Sequence, residues 1–303
     1  MRVLATGATG FLGSRLSDAL LERGDEVVGL TRDPERARTA APAVAWHGWN
    51  ASAERPPASA IEGADVVVNL IGESIDQRWT DDAKRRIRES RERATKNLVD
   101  ALSAADPRPR ALVSQSAVGY YGDRGDAIVE ESTPPGTTFD AGVCAAWEAA
   151  ARSAEDLGMR VAIVRSGLVL DPDAGLLKQL LPPFRLGLGG PIAGGRQYMP
   201  WIHVDDWVRL VLWVVDGEDR AGTYNGTAPN PVTNAELSKA LGRVLRRPAI
   251  FPVPKLAMKA RFGSELGEVV TGGQRVVPRR ALDGGFQFVH PEAEAALRDL
   301  LEK

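Results

Sequence analysis

The residues best equipped for chemistry stand near the start of the chain. Thr6-Gly7-Ala8-Thr9-Gly10-Phe11-Leu12-Gly13 falls between a short β-branched run and a helical pattern, with glycines at every third position. In that setting glycines permit a tight turn, let backbone amides approach a pyrophosphate and let a helix pack closely on a sheet, while the helix N-terminus favours negative charge. The expectation is a dinucleotide loop contacted through Gly7, Thr9, Gly10, Phe11, Leu12 and Gly13; the alternative is a merely structural strand-to-helix turn. The end of the second strand selects the nucleotide, because an acidic residue there bonds a ribose 2′-hydroxyl, whereas arginine accommodates a 2′-phosphate. The chain reads Leu30-Thr31-Arg32, with no carboxylate before Asp33. NADP(H) is therefore the expected cofactor and Arg32 its planar donor fork, against the alternative of a solvated arginine. Asp65 could meet the adenine side, and Leu70 to Gly72 could line the nucleotide cleft.

These groups need a frame to hold them. With 38 basic and 40 acidic residues among 303, the net charge of −2 gives no overall field for nucleic acid or an anionic membrane. The single cysteine, Cys144, excludes an intrachain disulfide and a Cys-rich zinc module, which fits a reducing, cytoplasmic setting. No apolar run reaches the roughly 18 to 20 residues of a membrane span, and the N-terminus lacks the apolar stretch of a secretory signal. Strand-like runs at 3–6, 27–31, 64–70, 111–116 and 161–164 alternate with helical patterns at 14–22, 81–104 and 142–157. That rhythm predicts an α/β fold, a doubly wound parallel sheet (Rossmann) with a smaller interwoven C-terminal lobe. The expected division is a nucleotide-binding domain over 1–170, to which 200–230 returns, and a smaller substrate lobe with a C-terminal helical segment over 171–303. Within it, helices are expected at 206–215 and 234–245, and a packed amphipathic helix within 286–303.

Further motifs carry a resemblance. Besides the glycine loop, the chain has Ser114-Gln115-Ser116-Ala117-Val118-Gly119-Tyr120-Tyr121-Gly122, Val164-Arg165-Ser166-Gly167 and Trp201-Ile202-His203-Val204-Asp205-Asp206. Almost end to end it resembles an extended, atypical short-chain dehydrogenase/reductase of the nucleoside-diphosphate-sugar epimerase type. Gly194-Gly195-Arg196-Gln197 and Gly273-Gln274-Arg275-Val276-Val277-Pro278 are similar to the branch that carries a C-terminal domain of unknown function. The resemblance implies the Rossmann fold, a nicotinamide cofactor bound also near Ser114, and a catalytic Ser at Ser116. It also implies a Tyr four residues before a Lys, with the Tyr as proton donor or acceptor and the Lys lowering its pKa. Here the chain departs: Asp140 occupies the Tyr position and Cys144 the Lys position, and no Tyr stands four residues before a Lys anywhere.

Replacement groups can be named. Tyr121 could act as the acid beside a cation, or simply wall the pocket. Glu73, Lys178, Arg196 and Gln197 are candidate substrate contacts, with loop contacts or solvated side chains as the alternatives. Glu148 is the leading carboxylate candidate, against pairing with an arginine. His203 reads as a structural hydrogen bond before a helix, and with His47, His203 and His290 scattered in sequence no metal is expected. The basic run at 84–88 reads as a solvated helix face. The leading function is an NADP(H)-binding oxidoreductase or epimerase acting on a small carbonyl, alcohol or sugar nucleotide, with family habit suggesting a homodimer. The alternative is a non-catalytic NADP(H)-binding regulatory or redox-sensing protein.

Overall fold

Runs apolar at every position, rather than at alternate ones, make strands covered on both faces. In the computed structural model, which describes residues 1–302, five largely apolar segments and two more polar ones form one sheet. They are Arg2–Thr6 (β1), Glu26–Thr31 (β2), Ala45–Gly48 (β3), Val66–Asn69 (β4), Ala111–Ala117 (β5), Arg160–Ser166 (β6) and Gly222–Gly226 (β7). Their order is β7-β6-β5-β4-β1-β2-β3, and every pairing is parallel. The order reverses between β1 and β4, and in such sheets ligands sit outside the carboxyl ends of the strands at that switch point.

Alternation along β1 sends Val3 and Ala5 to one face and Leu4 to the other. On the first face Leu16 and Leu20 of Phe11–Glu22 (α1) pack with Trp207, Leu210 and Val214 of Val204–Asp216. On the second, Leu98 and Leu102 of Glu92–Ser103 pack with Ala151 of Phe139–Arg152. The helical pattern at 81–104 is two helices, Asp81–Glu89 and Glu92–Ser103. Between them the Ser90 hydroxyl donates to the Ile87 carbonyl and accepts the Glu73 amide, a local side-chain alternative to the helix ladder.

A separate core gathers Leu177, Leu181, Phe184, Trp201, Leu237, Leu241, Ala296 and Leu297. These come chiefly from Gly175–Arg185, Asn234–Leu245 and the terminal helix Ala293–Leu301. The short strand Arg275–Val276 crosses back to pair with Ile128–Val129, strapping the C-terminal segment onto the loop after β5. Among the described residues no helix is long and apolar enough to cross a membrane.

Two glycines fix the loop between β1 and α1. Gly7 has a φ of +65°, and a Cβ there would lie 2.7 Å from the Leu70 carbonyl oxygen. A Cβ on Gly13 would lie 2.2 Å from the Gly7 carbonyl oxygen, a collision with backbone that cannot rotate away. Gly13→Ala is expected to cost about 1–3 kcal/mol by overpacking. A urea-unfolding midpoint equal to that of the unaltered chain would show that helix and strand do not approach this closely.

Candidate active site

At the carboxyl edge, Gly10 begins α1 with no side-chain cap and no acidic residue in the first turn. Its free amide groups and dipole are left for an anion. Thr9 and Gly10 are exposed, and Phe11 and Leu12 half-buried, beside this turn. Behind it runs a fully buried chain of bonds: Thr6 Oγ1 donates to Asn69 Oδ1 (2.7 Å), and Asn69 Nδ2 donates to Thr95 Oγ1 (2.9 Å) and Ser114 Oγ (3.1 Å). Ser114 therefore sits inside the frame that holds β1, β4 and β5 in register, not on its surface. At the end of β2 the Asp33 carboxylate accepts the Arg36 amide (3.1 Å) and caps Pro34–Ala40. Arg32 is exposed and makes no hydrogen bond or ion pair among the described residues.

Arg91, which the sequence reading passed over, joins the next loop to the helix behind. A Cβ on Gly72 would lie 3.0 Å from its guanidinium carbon, and that carbon lies 5.2 Å from the Trp147 ring centre. Burial pulls its pKa down, yet a guanidinium stays charged. Its guanidinium donates from Nη1 to the Ile87 carbonyl. The sequence pattern, continuous over 81–104, carried no signal for it, because the break between the two helices shows only in the structure.

Ser116, at the end of β5, is fully buried and donates to Glu148 Oε1 at 2.8 Å. Glu148 is held by Arg165 through two parallel bonds, Nε to Oε1 (2.7 Å) and Nη2 to Oε2 (2.8 Å). Burial disfavours the Arg165 charge, but the bonds to Glu148 outweigh it and raise the pKa. Arg165 Nη1 also donates to the Tyr121 hydroxyl (2.9 Å), which in turn donates to Asn225 Oδ1 (2.6 Å). Tyr121 is fully buried, and burial pushes its pKa up to about 12 against the pull of Arg165. The cation that an acid at Tyr121 would need is present, but the phenol is fully buried and its oxygen is bonded to both Arg165 and Asn225. Ser116 meets a similar limit, because its proton is already given to Glu148. Glu148 itself pairs with an arginine.

A cleft opens instead at the N-terminus of Phe139–Arg152. It measures about 560 Å³ and is lined by Trp79, Phe139 and Asp140, by Gly122 and Asp123, and by Lys255, Glu265 and Glu268 among others. Trp79 meets Phe139 edge to face, ring centres 5.1 Å apart, giving the cleft an apolar corner. Lys178 and Arg196 are exposed and do not line this cleft. Gln197 is half-buried and spends its amide on the Ile192 carbonyl (3.0 Å), while Glu73 accepts from Gln77 and Arg86, both at 3.4 Å. None of the four expected substrate contacts lines this cleft.

Residues 3–225 match the model of the NAD dependent epimerase/dehydratase family, and residues 253–300 match a domain of unknown function, DUF1731. The chain belongs to the NAD dependent epimerase/dehydratase family. It is 40% identical over 304 residues to the chloroplastic homolog of epimerase family protein SDR39U1 from Arabidopsis thaliana, covering 100% of this chain and 87% of the relative. Against the human SDR39U1 protein the identity is 37% over 305 residues, covering 99% and 100% of the two chains. The crystal structure of the human protein with NADPH aligns with a TM-score of 0.90 at 35% identity over 100% of both chains. A UDP-glucuronic acid 4-epimerase from Bacillus cereus shares the fold, with a TM-score of 0.78 at 16% identity over 100% of this chain and 99% of that one.

Relative to the family pattern, the helix carrying Asp140 and Cys144 is in place while its chemistry is altered. Cys144 is buried, and burial pushes its thiol up to about 11, so it is no cation and no ready nucleophile. The scatter of histidines in sequence also misled: His203, Asp205, His290 and Asp299 place ligand atoms within 4.8 Å of one another. The His203 and His290 rings stack with centres 3.8 Å apart at 20°. Ring lone pairs lie in the ring planes, and two nearly parallel planes do not converge on one ion at about 2 Å. His203 Nδ1 instead accepts the Asp205 amide (3.0 Å) and caps Val204–Asp216, the structural role expected from sequence.

Glu148→Ala should destabilise the fold by about 3–5 kcal/mol, since it leaves a buried guanidinium unpaired; a loss below 1 kcal/mol in denaturant unfolding would mean water reaches Arg165. Burial first, and then His290, lowers the His203 pKa. The unfolded chain consequently takes up that proton first, and stability should fall as pH drops below about 6.5. His203→Asn, which keeps a cap acceptor, should flatten that slope in urea midpoints measured across pH.

Proposed function

We propose that the protein binds NADP(H) and transfers hydride between it and a small carbonyl or alcohol, sugar nucleotides included. In this reading residues 1–170 with 200–230 bind the nucleotide, and 171–303 form the smaller lobe. The observation that carries it is the division of labour after β2: Asp33 is spent on a helix cap, leaving Arg32 unpaired for a 2′-phosphate. The residues fit such a group, because the uncapped α1 terminus accepts a pyrophosphate, and Gly7 and Gly13 permit the tight loop and close helix packing that present it. The NADPH present in the human relative's structure supports the same choice. Bound there, the nicotinamide would supply or accept the hydride. Arg91 adds a fixed positive charge over Gly72, and Trp79 with Phe139 excludes water from one wall of the cleft. Ser116 and Tyr121 stay engaged in the Arg165 network, so the proton comes from another group.

That engagement also favours a second reading, a nucleotide-binding regulator without turnover. The two part on one result: a regulator binds NADPH and never oxidises it.

Calorimetric titration of cofactor-free protein should show tighter binding of NADPH than of NADH. Arg32→Ala should weaken NADPH by roughly tenfold or more, the worth of a charge-assisted hydrogen bond, and leave NADH unchanged. Absence of binding by either nucleotide would reduce the glycine loop to a structural turn.

A further inference from the structure

We propose that the carboxyl of Asp140 is the group that exchanges a proton with the substrate in the cleft beside β5. The proposal rests on the hydride-transfer reading above and deepens it. Asp140 lines the 560 Å³ cleft, yet its Oδ1 atom is buried with no hydrogen-bond partner. Its other oxygen lies against the turn that follows β5: a Cβ on Gly119 would be 2.8 Å from Oδ2, so the carboxyl occupies space that only a glycine leaves open. An oxygen shut off from water with no partner disfavours the ionised carboxyl, which favours keeping a proton on the group at the cleft wall.

The surroundings favour a retained proton. On its own helix Asp140 is one turn from Cys144 and two from Glu148, whose charge is matched by Arg165. Facing it across the cleft are Asp123 from the loop after β5, Glu265 and Glu268 from Ser264–Thr271, and Lys255 from Lys255–Phe262. The other nearby cations are engaged. Lys84 pairs with Glu265 at 2.6 Å and lies 5.3 Å from the Phe139 ring centre, with Arg88 at 5.9 Å from that centre. Lys259 pairs with Glu268 at 2.9 Å, and Arg91 stacks on Trp147. No ion pair reaches Asp140 among the described residues. Burial raises its pKa, against hydrogen bonding by Thr138 and by the Asp140 and Ala141 amides.

In the reducing direction the carbonyl carbon gains the hydride that NADPH loses, and the carbonyl oxygen takes the Asp140 proton. Alcohol and NADP+ result, and the carboxylate regains a proton from water at the open side of the cleft. Oxidation of an alcohol runs the same step backwards, with the Asp140 carboxylate as base.

The test has two readouts on the full-length, NADP+-loaded protein. With aspartate 13C-labelled at the carboxyl carbon, the resonance that disappears in Asp140→Asn should titrate well above the other aspartates; titration alongside them overturns the proposal. With NADPH and 9,10-phenanthrenequinone or a panel of neutral aldehydes and ketones, Asp140→Asn should lower kcat on the order of 10²-fold or more, with NADPH affinity retained by calorimetry. Gly119→Ala, which displaces the carboxyl without removing it, should lower kcat as well. The unaltered protein should lose rate as pH rises through the Asp140 titration, because the donor must be protonated, and Asp140→Asn should lack that limb. Undiminished turnover in Asp140→Asn removes the proposal alone. Tight NADPH binding with no oxidation by any carbonyl removes the hydride reading, and the proposal with it.

Discussion

One buried cation organises the substrate side of this molecule. Arg165 sits on β6 with its guanidinium out of water, a placement that costs several kcal/mol unless each donor is answered. The answers come from separate parts of the chain: Glu148 from the helix behind, the Tyr121 hydroxyl and the Glu131 carbonyl from the segment after β5, and the Tyr120 ring at 3.4 Å. Tyr121 passes the connection to Asn225 on β7, and Asn225 donates to the Val277 carbonyl at 3.0 Å. The strap Arg275–Val276 is thereby fastened to the sheet through polar bonds, beyond its short pairing with Ile128–Val129.

That fastening decides where chemistry can occur. The Ser116 hydroxyl, implied by the family resemblance, and the Tyr121 hydroxyl, a replacement candidate, are both engaged in the network around Arg165, and a hydroxyl with its proton committed is a poor donor to anything else. The same helix that supplies Glu148 to the network carries Asp140 at its first turn, where it meets the cleft. Structural and reactive carboxyls thus sit on one rigid element, two turns apart, and their environments separate their roles: Glu148 bonded twice to a guanidinium, Asp140 with an oxygen left unbonded. Arg91, fixed by Trp147 and Gly72, puts a positive charge beside this helix where Cys144 cannot provide one.

What sequence could and could not reveal follows from the same physics. The glycine loop was legible because backbone geometry at Gly7 and Gly13 excludes any side chain, and buried parallel strands were legible because their runs are apolar throughout. Ala45–Gly48 and Gly222–Gly226 escaped, since Ala-Trp-His-Gly and Gly-Thr-Tyr-Asn-Gly carry no such run and become strands only through their neighbours. The Arg32 and Asp33 pair could be read in order, but which of them is spent as a cap depends on the turn between β2 and its helix. Side-chain direction was not legible at all. Tyr121 pointed inward to Asn225, His203 met His290 from 87 residues away, and Asp140, normally ionised in water, found itself in a place where water does not reach one of its oxygens.

Charge balance in the cleft bears on what can enter it. The lining carries four carboxyls, Asp123, Asp140, Glu265 and Glu268, and one cation, Lys255. Lys84 and Lys259 already answer Glu265 and Glu268 from the side. A diphosphate brings two or more negative charges and is ordinarily met by arginine forks, yet no arginine lines this cavity among the described residues. Lys178 and Arg196 are free, but outside it. A neutral carbonyl compound placed between Trp79, Phe139 and the Asp140 carboxyl meets no such mismatch. Anionic substrates would have to place their charge beyond the cleft, toward the lobe that holds those two free cations.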